Sequence, residues 1–209
     1  ENLAQFCDVF VEDSAFTLEE ASRILEAGVR LGLRPRVHAD QLTDGNGAAL
    51  AAETGAIAAD HLEFISDDGI RALRKQGVIA VGLPLASVYL GQPPMPARKL
   101  IDSGVRVAIA TDFNPGSAPS YHLPLAMMLA CTLLKMTPME ALRASTLHAA
   151  EALDLHGSVG SLEPGKAADF AVIDAPSVNH WLYHFRPNAC VATYVGGRKI
   201  WDASPGRVD

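Results

Sequence analysis

Cysteine is scarce: Cys7, Cys131 and Cys190 are the three in 209 residues, an odd and scattered set. They form no Cys-x-x-Cys pair, which leaves no disulfide framework and no thiolate zinc motif; reduced thiols in a cytoplasmic protein are the simple reading. His-Glu-x-x-His is absent as well. Positive charge is in deficit, at a net −7, which argues against nucleic acid and against an anionic membrane surface as partners. Long hydrophobic runs are missing too. The most apolar stretch, residues 123–134, is too short to span a bilayer, and the opening residues carry no signal-peptide pattern. There is no repeat of fixed period and no low-complexity tract. The chain opens on Glu1 and not on methionine, which reads as a fragment or a processed chain. What is present is 49% hydrophobic sequence, enough to bury a large core in one domain or one and a half.

The first two-thirds alternate strand-like and helix-like segments with short joins, the pattern of βα units around a parallel sheet. Strands are expected at 6–11, 35–39, 56–62, 78–83 and 105–111. Helices are expected at 17–31, 47–54, up to Lys75 and at 96–103. Thr17 with Glu20 three residues on forms a capping box, and Ser66, Asp67 or Asp68 is placed to cap the helix that ends at Lys75. Beyond these units two successive helices are expected, 120–135 and 138–153, the second capped by Thr137 with Glu140. A turn at 161–166, shaped by Lys166 and Asp169, leads to a strand at 168–173 and a hairpin at 192–201 broken at Gly196-Gly197. The expected fold is therefore α/β: about five βα units of a TIM-like (β/α)8 barrel, where a closed barrel needs eight, with the remainder expected before Glu1. The division expected is 1–155 for the barrel part and 156–209 for the strands that follow.

Chemistry is expected at the carboxyl ends of the strands, where barrel enzymes keep their active sites. The run Val107-Ala108-Ile109-Ala110-Thr111-Asp112 ends in a carboxylate and at once enters the polar turn Phe113-Asn114-Pro115-Gly116-Ser117. His38 and His61 end two similar runs. Each alone has an ordinary reading: a satisfied sheet-edge or core histidine, or an Asx-turn aspartate. Spaced one and then two βα units apart, the three together favour a metal-assisted hydrolase. Asn114, Gly116 and Ser117 offer an amide, a bare backbone N–H and a hydroxyl to an anionic substrate group, or form only a turn. His122, His148, His156, His180 and His184 read as structural.

Longer segments make a family visible. Cys7-Asp8-Val9-Phe10, His38-Ala39-Asp40, Ala59-Asp60-His61-Leu62, Thr111-Asp112-Phe113-Asn114-Pro115-Gly116-Ser117 and Ala130-Cys131-Thr132-Leu133 fall in order, followed by Ser161-Leu162-Glu163-Pro164-Gly165-Lys166 and Tyr183-His184-Phe185. The chain thereby resembles the amidohydrolase superfamily and, within it, the imidazolonepropionase family. The resemblance implies a distorted barrel plus a small β-sandwich built from both chain ends, in a cytoplasmic enzyme of histidine degradation expected to form a homodimer. It implies one zinc or iron ion per full-length subunit, with His38 and Asp112 as ligands and His61 polarising the scissile carbonyl. Asn114, Gly116 and Ser117 match the loop near the substrate's propionate. The implied reaction opens the ring of 4-imidazolone-5-propanoate with water to give N-formimidoyl-glutamate, Asp112 taking the proton of the attacking water. Where many members carry glutamate this chain has Gln41, an amide that orients substrate or water but cannot act as a base, so proton transfer falls to Asp112 or His61.

The superfamily's His-x-His pair on the first strand does not occur here. With two of four ligands the isolated chain is expected to hold metal poorly or not at all, and to be nearly inactive. Two other functions fit the same residues. One is a different amidohydrolase, a cyclic amidohydrolase or a deaminase; the other is a non-catalytic module that self-associates through unpaired strand edges.

Overall fold

A computed structural model describes residues 3–185 and 188–203. Five parallel strands, β1 (Phe6–Val11), β2 (Arg34–Ala39), β3 (Ala58–His61), β4 (Ile79–Gly82) and β5 (Val107–Ile109), lie side by side in chain order. The crossovers are helical: α1 (Leu18–Arg30), α2 (Gly47–Glu53), α3 (Asp67–Gln76), then α4 (Pro84–Leu90) and α5 (Ala97–Asp102) in tandem. Among the described residues β1 and β5 each pair on one side only, so the sheet is open.

Local sequence sets these elements. Thr17 Oγ1 accepts the Glu20 N–H while the Glu20 carboxylate accepts the Thr17 N–H at 3.0 Å, so α1 starts on a full capping box. Ser66, and neither aspartate beside it, caps α3. Its other end turns on Gly77 at φ +72°, a left-handed backbone that favours glycine. Ala21 and Leu25 of α1 and Leu73 of α3 are fully buried on the sheet side, together with Val37 and Leu62. Each large apolar side chain taken out of water contributes about 1.5–3 kcal/mol. The middle strands carry small side chains: Ala58, Ala59 and Ala80 are fully buried, so helices approach closely.

The helical layer continues with α6 (Leu123–Thr132), α7 (Pro138–Ala144) and α8 (Leu147–Ala152). The single helix expected over 138–153 is thus two. At the break, Ser145 Oγ and Thr146 Oγ1 bond back to the Ala141 and Leu142 carbonyls, and Thr146 leaves helical backbone at φ −127°. The helix expected from Ser120 starts at Leu123, where His122 Nδ1 accepts the Leu125 N–H as its cap. After residue 156 come β6 (Phe170–Ile173), the helix α9 (Val178–Tyr183), β7 (Cys190–Val195) and β8 (Arg198–Asp202). The three strands form one antiparallel sheet in the order β6-β7-β8, with Phe170 stacked on Tyr194 at 4.5 Å. Lys166 bonds Ser161, and Asp169 accepts the Gly196 N–H, so both shape turns as expected. α9 packs against α6 and α7, and its Leu182 joins the main core.

Strand register builds the ground on which the site stands. Asp8, Arg36 and Ala58 are lateral neighbours on β1, β2 and β3, and Phe10, His38 and Asp60 are neighbours two residues further on. Side chains two apart share a face. A polar layer therefore crosses one face of an otherwise apolar sheet, just below the strand ends.

Candidate metal centre

His38 is the penultimate residue of β2, His61 the last of β3, and Asp112 stands three residues beyond β5. One ligand atom from each lies within 4.8 Å of the others. The two imidazole rings are 5.5 Å apart at 52°. Three of the sequence-predicted residues are thus brought together at one end of the sheet. The backbone is bent to do it: Asp40, His61, Leu62 and Asp112 all have positive φ, between 51° and 78°. Such conformations cost a non-glycine residue roughly 1–3 kcal/mol each and gather where a site demands them. Here they sit just past the ends of β2, β3 and β5 and turn the chain across the sheet's rim. Leu62 N–H to Ala39 O at 3.0 Å and Phe64 N–H to Asp40 O at 2.9 Å hold the first two bends together.

Each site residue has a support. Asp8 Oδ1 meets His38 Nδ1 at 2.9 Å. Burial by itself would depress the His38 pKa, but the bond to Asp8 and the charges of Asp60, Asp8 and Asp112 reverse this and raise it. The Arg36 guanidinium holds Asp60 with both oxygens, at 2.9 and 3.0 Å, and reaches the Ala152 carbonyl at 2.9 Å. Burial nonetheless raises the Asp60 pKa against the pull of Arg36. Asp8, His38 and Asp60 also meet the proximity expected of a metal cluster, yet Arg36 already supplies the cation between the two carboxylates. His61 is 3% exposed, and its Nδ1 faces Glu63 Oε1 at 3.6 Å, beyond hydrogen-bond range. Glu63 Oε1 in turn accepts the Ser87 hydroxyl at 3.1 Å. His61 Nδ1 and Glu63 Oε2 are buried without a hydrogen-bond partner, a costly state for either atom.

The loop after Asp112 is closed on itself. Asn114 Oδ1 accepts the N–H of Gly116 and of Ser117, both at 2.8 Å, and Asn114 Nδ2 donates to the Asp112 carbonyl at 2.7 Å. The Ser117 hydroxyl reaches Asp112 Oδ2 at 3.4 Å. The donors expected to face a substrate anion are therefore turned inward, where they fix the Asp112 turn. Gln41 is buried directly after the bent Asp40. Asp40 itself caps α2, accepting Gly47 N–H at 2.8 Å and Ala48 N–H at 3.0 Å, while burial raises its pKa. Glycine is required at 47, since a Cβ there would lie 2.7 Å from that of Ala39. Glu12, past the end of β1, accepts from Leu42 N–H at 2.8 Å and from Thr43, pinning the segment beside Gln41. Burial works against its charge, but these bonds win and lower its pKa. His148 bonds the Val107 carbonyl at 2.9 Å, in the structural place expected of it.

Sequence reasoning missed Asp8, Arg36, Asp60 and Glu63. A signal existed for three of them: a charged residue on the sheet face that His38 shares, within runs that otherwise read as buried strand.

The amidohydrolase family profile matches residues 13–200. The chain belongs to the amidohydrolase family. Imidazolonepropionase from Geobacillus thermodenitrificans (strain NG80-2) is 50% identical over 198 residues, covering 95% of this chain and 47% of that protein. The same-named protein of Treponema denticola is 44% identical over 207 residues, covering 99% of this chain and 50% of its own length. The chain spans about half the length of the curated relatives it matches. Among solved structures, an adenosine deaminase from Xanthomonas campestris with bound zinc gives a TM-score of 0.76 at 20% identity, over 88% of this chain and 49% of that one. A Xaa-Pro dipeptidase gives 0.77 at 18%, over 96% and 55%. At such identities the likeness shows the fold alone. It makes this amidohydrolase's five-stranded parallel sheet part of a TIM-like barrel. No helix among the described residues is long and apolar enough to cross a membrane.

Proposed function

We propose that this amidohydrolase segment carries part of the active centre of an imidazolonepropionase, which hydrolyses the ring amide of 4-imidazolone-5-propanoate to N-formimidoyl-glutamate. The observation that carries the reading is the convergence of His38, His61 and Asp112 at the strand ends of a chain 44–50% identical to proteins of that name.

The residues suit a metal. Two imidazoles and a carboxylate form a donor set that zinc and ferrous iron both accept, which supports the reading. In this reading His38 and Asp112 hold one zinc or iron ion per subunit. A divalent ion there supplies Lewis acidity and a more acidic bound water. The chain's own residues do the rest. Asp112, steadied by the Ser117 hydroxyl, takes the proton of the attacking water and returns it to the departing ring nitrogen. His61, buried and within reach of the same point, polarises the ring carbonyl. Gln41 orients substrate, and Asn114, Gly116 and Ser117 form the bend near the propionate, their own donors spent on fixing the Asp112 turn. The reading also divides the chain at 155/156 and takes 156–209 as one layer of a small β-sandwich. The sheet β6-β7-β8 leaves Val172, Ile200 and Trp201 exposed, as a layer awaiting another would.

The test is a chimera in which this chain replaces the matching segment of the Geobacillus thermodenitrificans relative. Turnover of 4-imidazolone-5-propanoate, lost by at least a thousandfold in Asp112→Asn, is the expected result. A chimera that folds, binds metal and leaves that ring intact while deaminating guanine would transfer the centre to another amidohydrolase activity.

A further inference from the structure

We propose that Asp8 is the positioning residue for His38: its carboxylate fixes the imidazole tautomer that leaves Nε2 bare at the metal centre. The inference rests on the metal reading above and names the residue that makes His38 a competent ligand. A carboxylate offers only acceptors, so the 2.9 Å contact at His38 Nδ1 requires the ring to donate from that atom. The proton is then placed on Nδ1, and the lone pair on Nε2 is the one left for ligation. Metal-bound histidines are commonly oriented in this way by a carboxylate on the second nitrogen.

The surroundings select Asp8 over Asp60 for this role. Asp60 Oδ2 is 3.9 Å from Nδ1, too far to bond it, and both its oxygens are held by Arg36. Arg36 Nε lies 3.8 Å from Asp8 Oδ2, so the guanidinium steadies the second oxygen while the first faces the ring. The edge of Phe10 meets the His38 ring at 6.5 Å and 80° and restrains its plane. Asp8, Arg36 and His38 are set by β1–β2 pairing alone, with Asp8 opposite Arg36 and His38 two residues on. No loop has to order for the contact to exist.

Two measurements on the chimera described above test this. Side-chain nitrogen NMR of the metal-free protein reads the tautomer of His38, and competition against a chromophoric chelator reads the dissociation constant for Zn2+. His38 is expected to carry its proton on Nδ1. Asp8→Ala should release the ring to a mixture of tautomers and weaken Zn2+ binding about 10–100-fold. Asp8→Glu should restore most of both, and the melting temperature should barely move, since Asp8 is exposed. Should Asp8→Ala fail to fold, Asp8→Asn keeps the shape and is read the same way, with a smaller loss. An unchanged tautomer and an unchanged affinity would overturn the proposal, as would a loss of affinity matched only by a loss of melting temperature. His38→Ala separates the two levels. If it leaves Zn2+ affinity intact, the metal reading fails; if it abolishes affinity while Asp8→Ala does not weaken it, only the role of Asp8 fails.

Discussion

Replacing Arg36 by Met tests the polar layer most directly. Arg36 is 15% exposed and Asp60 6%, and one guanidinium nitrogen, Nη2, donates to both Asp60 oxygens at 2.9 and 3.0 Å in a charge-assisted contact. At about 4 Å between charge centres and an effective dielectric near 20, their attraction is about 4 kcal/mol. Methionine keeps the aliphatic stem but leaves the Asp60 carboxylate buried without its counter-charge, and it drops the bond to Ala152 that ties β2 to the end of α8. Breaking one side of a buried pair costs about 3–5 kcal/mol. For a chain of this size each kcal/mol lowers Tm by about 2–4 °C, so Arg36→Met should melt roughly 6–20 °C below the parent. Urea unfolding gives the same quantity as a shift in midpoint at unchanged slope. The decisive arm is the double variant Arg36→Met with Asp60→Leu. With no charge stranded it should recover most of the loss, and the cycle should show a coupling of at least 2 kcal/mol. A single variant costing under 1 kcal/mol, or a double variant costing the sum of the two singles, would refute the claim that the pair is buried and mutually dependent.

Two more predictions concern the frame of the site. The Arg98 guanidinium, bonded at 3.0 Å to each Glu140 oxygen, is the main reason the Glu140 pKa falls from 4.5 to about 2. A depressed carboxylate stabilises the fold above its unfolded pKa, so this contribution is complete above pH 4.5 and fades as pH falls toward 2; Glu140→Gln, which keeps the capping box, should cost about 1 kcal/mol at pH 6 after solvent screening and almost nothing near pH 2 in chemical denaturation. Asp40→Ala removes the acceptor of two α2 N–H groups inside the core and should lower stability by about 2–4 kcal/mol, measured by urea unfolding, whereas a cost within 0.5 kcal/mol would show that α2 starts without it.

The parts of the fold legible in the sequence are those that local chemistry decides. Both capping boxes, at Thr17 and Thr137, announce their helices, and the apolar runs before His38, His61 and Asp112 locate strand ends within a residue or two. α4 was invisible because Pro-Leu-Ala-Ser-Val-Tyr-Leu has no polar face to give a helical period, although Pro84 at its first position was a usable start signal. The break between α7 and α8 hides for the opposite reason. Ser145 and Thr146 interrupt the helix through their own hydroxyls, with no glycine or proline to mark the spot. The candidate site was half legible. His38, His61 and Asp112 stand at strand ends, where position alone suggests chemistry. Asp8, Asp60 and Glu63 act sideways, across strands or through a neighbouring loop, and nothing in one strand's sequence states which residue of the next lies beside it. Asn114, Gly116 and Ser117 were visible as a turn, but their inward bonding depends on the side-chain rotamer of Asn114.

These layers explain why one sheet can hold both a rigid core and a strained centre. Below the rim, Val37, Ala58, Ala59 and Ala80 are sealed by helices and need nothing from the site. On the face that His38 shares, Arg36 and Asp60 form a buried charge pair in which either partner would be destabilising alone, with exposed Asp8 beside it. At the rim, His61, Leu62 and Asp112 adopt backbone angles their side chains resist, held by ladder bonds to Ala39 and Asp40 and by the closed Asn114 turn. Strain confined to the strand ends and the residues just beyond them can turn ligands toward a common point without disturbing the register beneath. That arrangement predicts an asymmetry between substitutions. Changes at Arg36 or Asp60 should alter stability and ligand orientation together, whereas changes at Asp112 should remove the chemistry and leave Tm nearly where it was, because its φ of 54° is a cost to the fold and not a support.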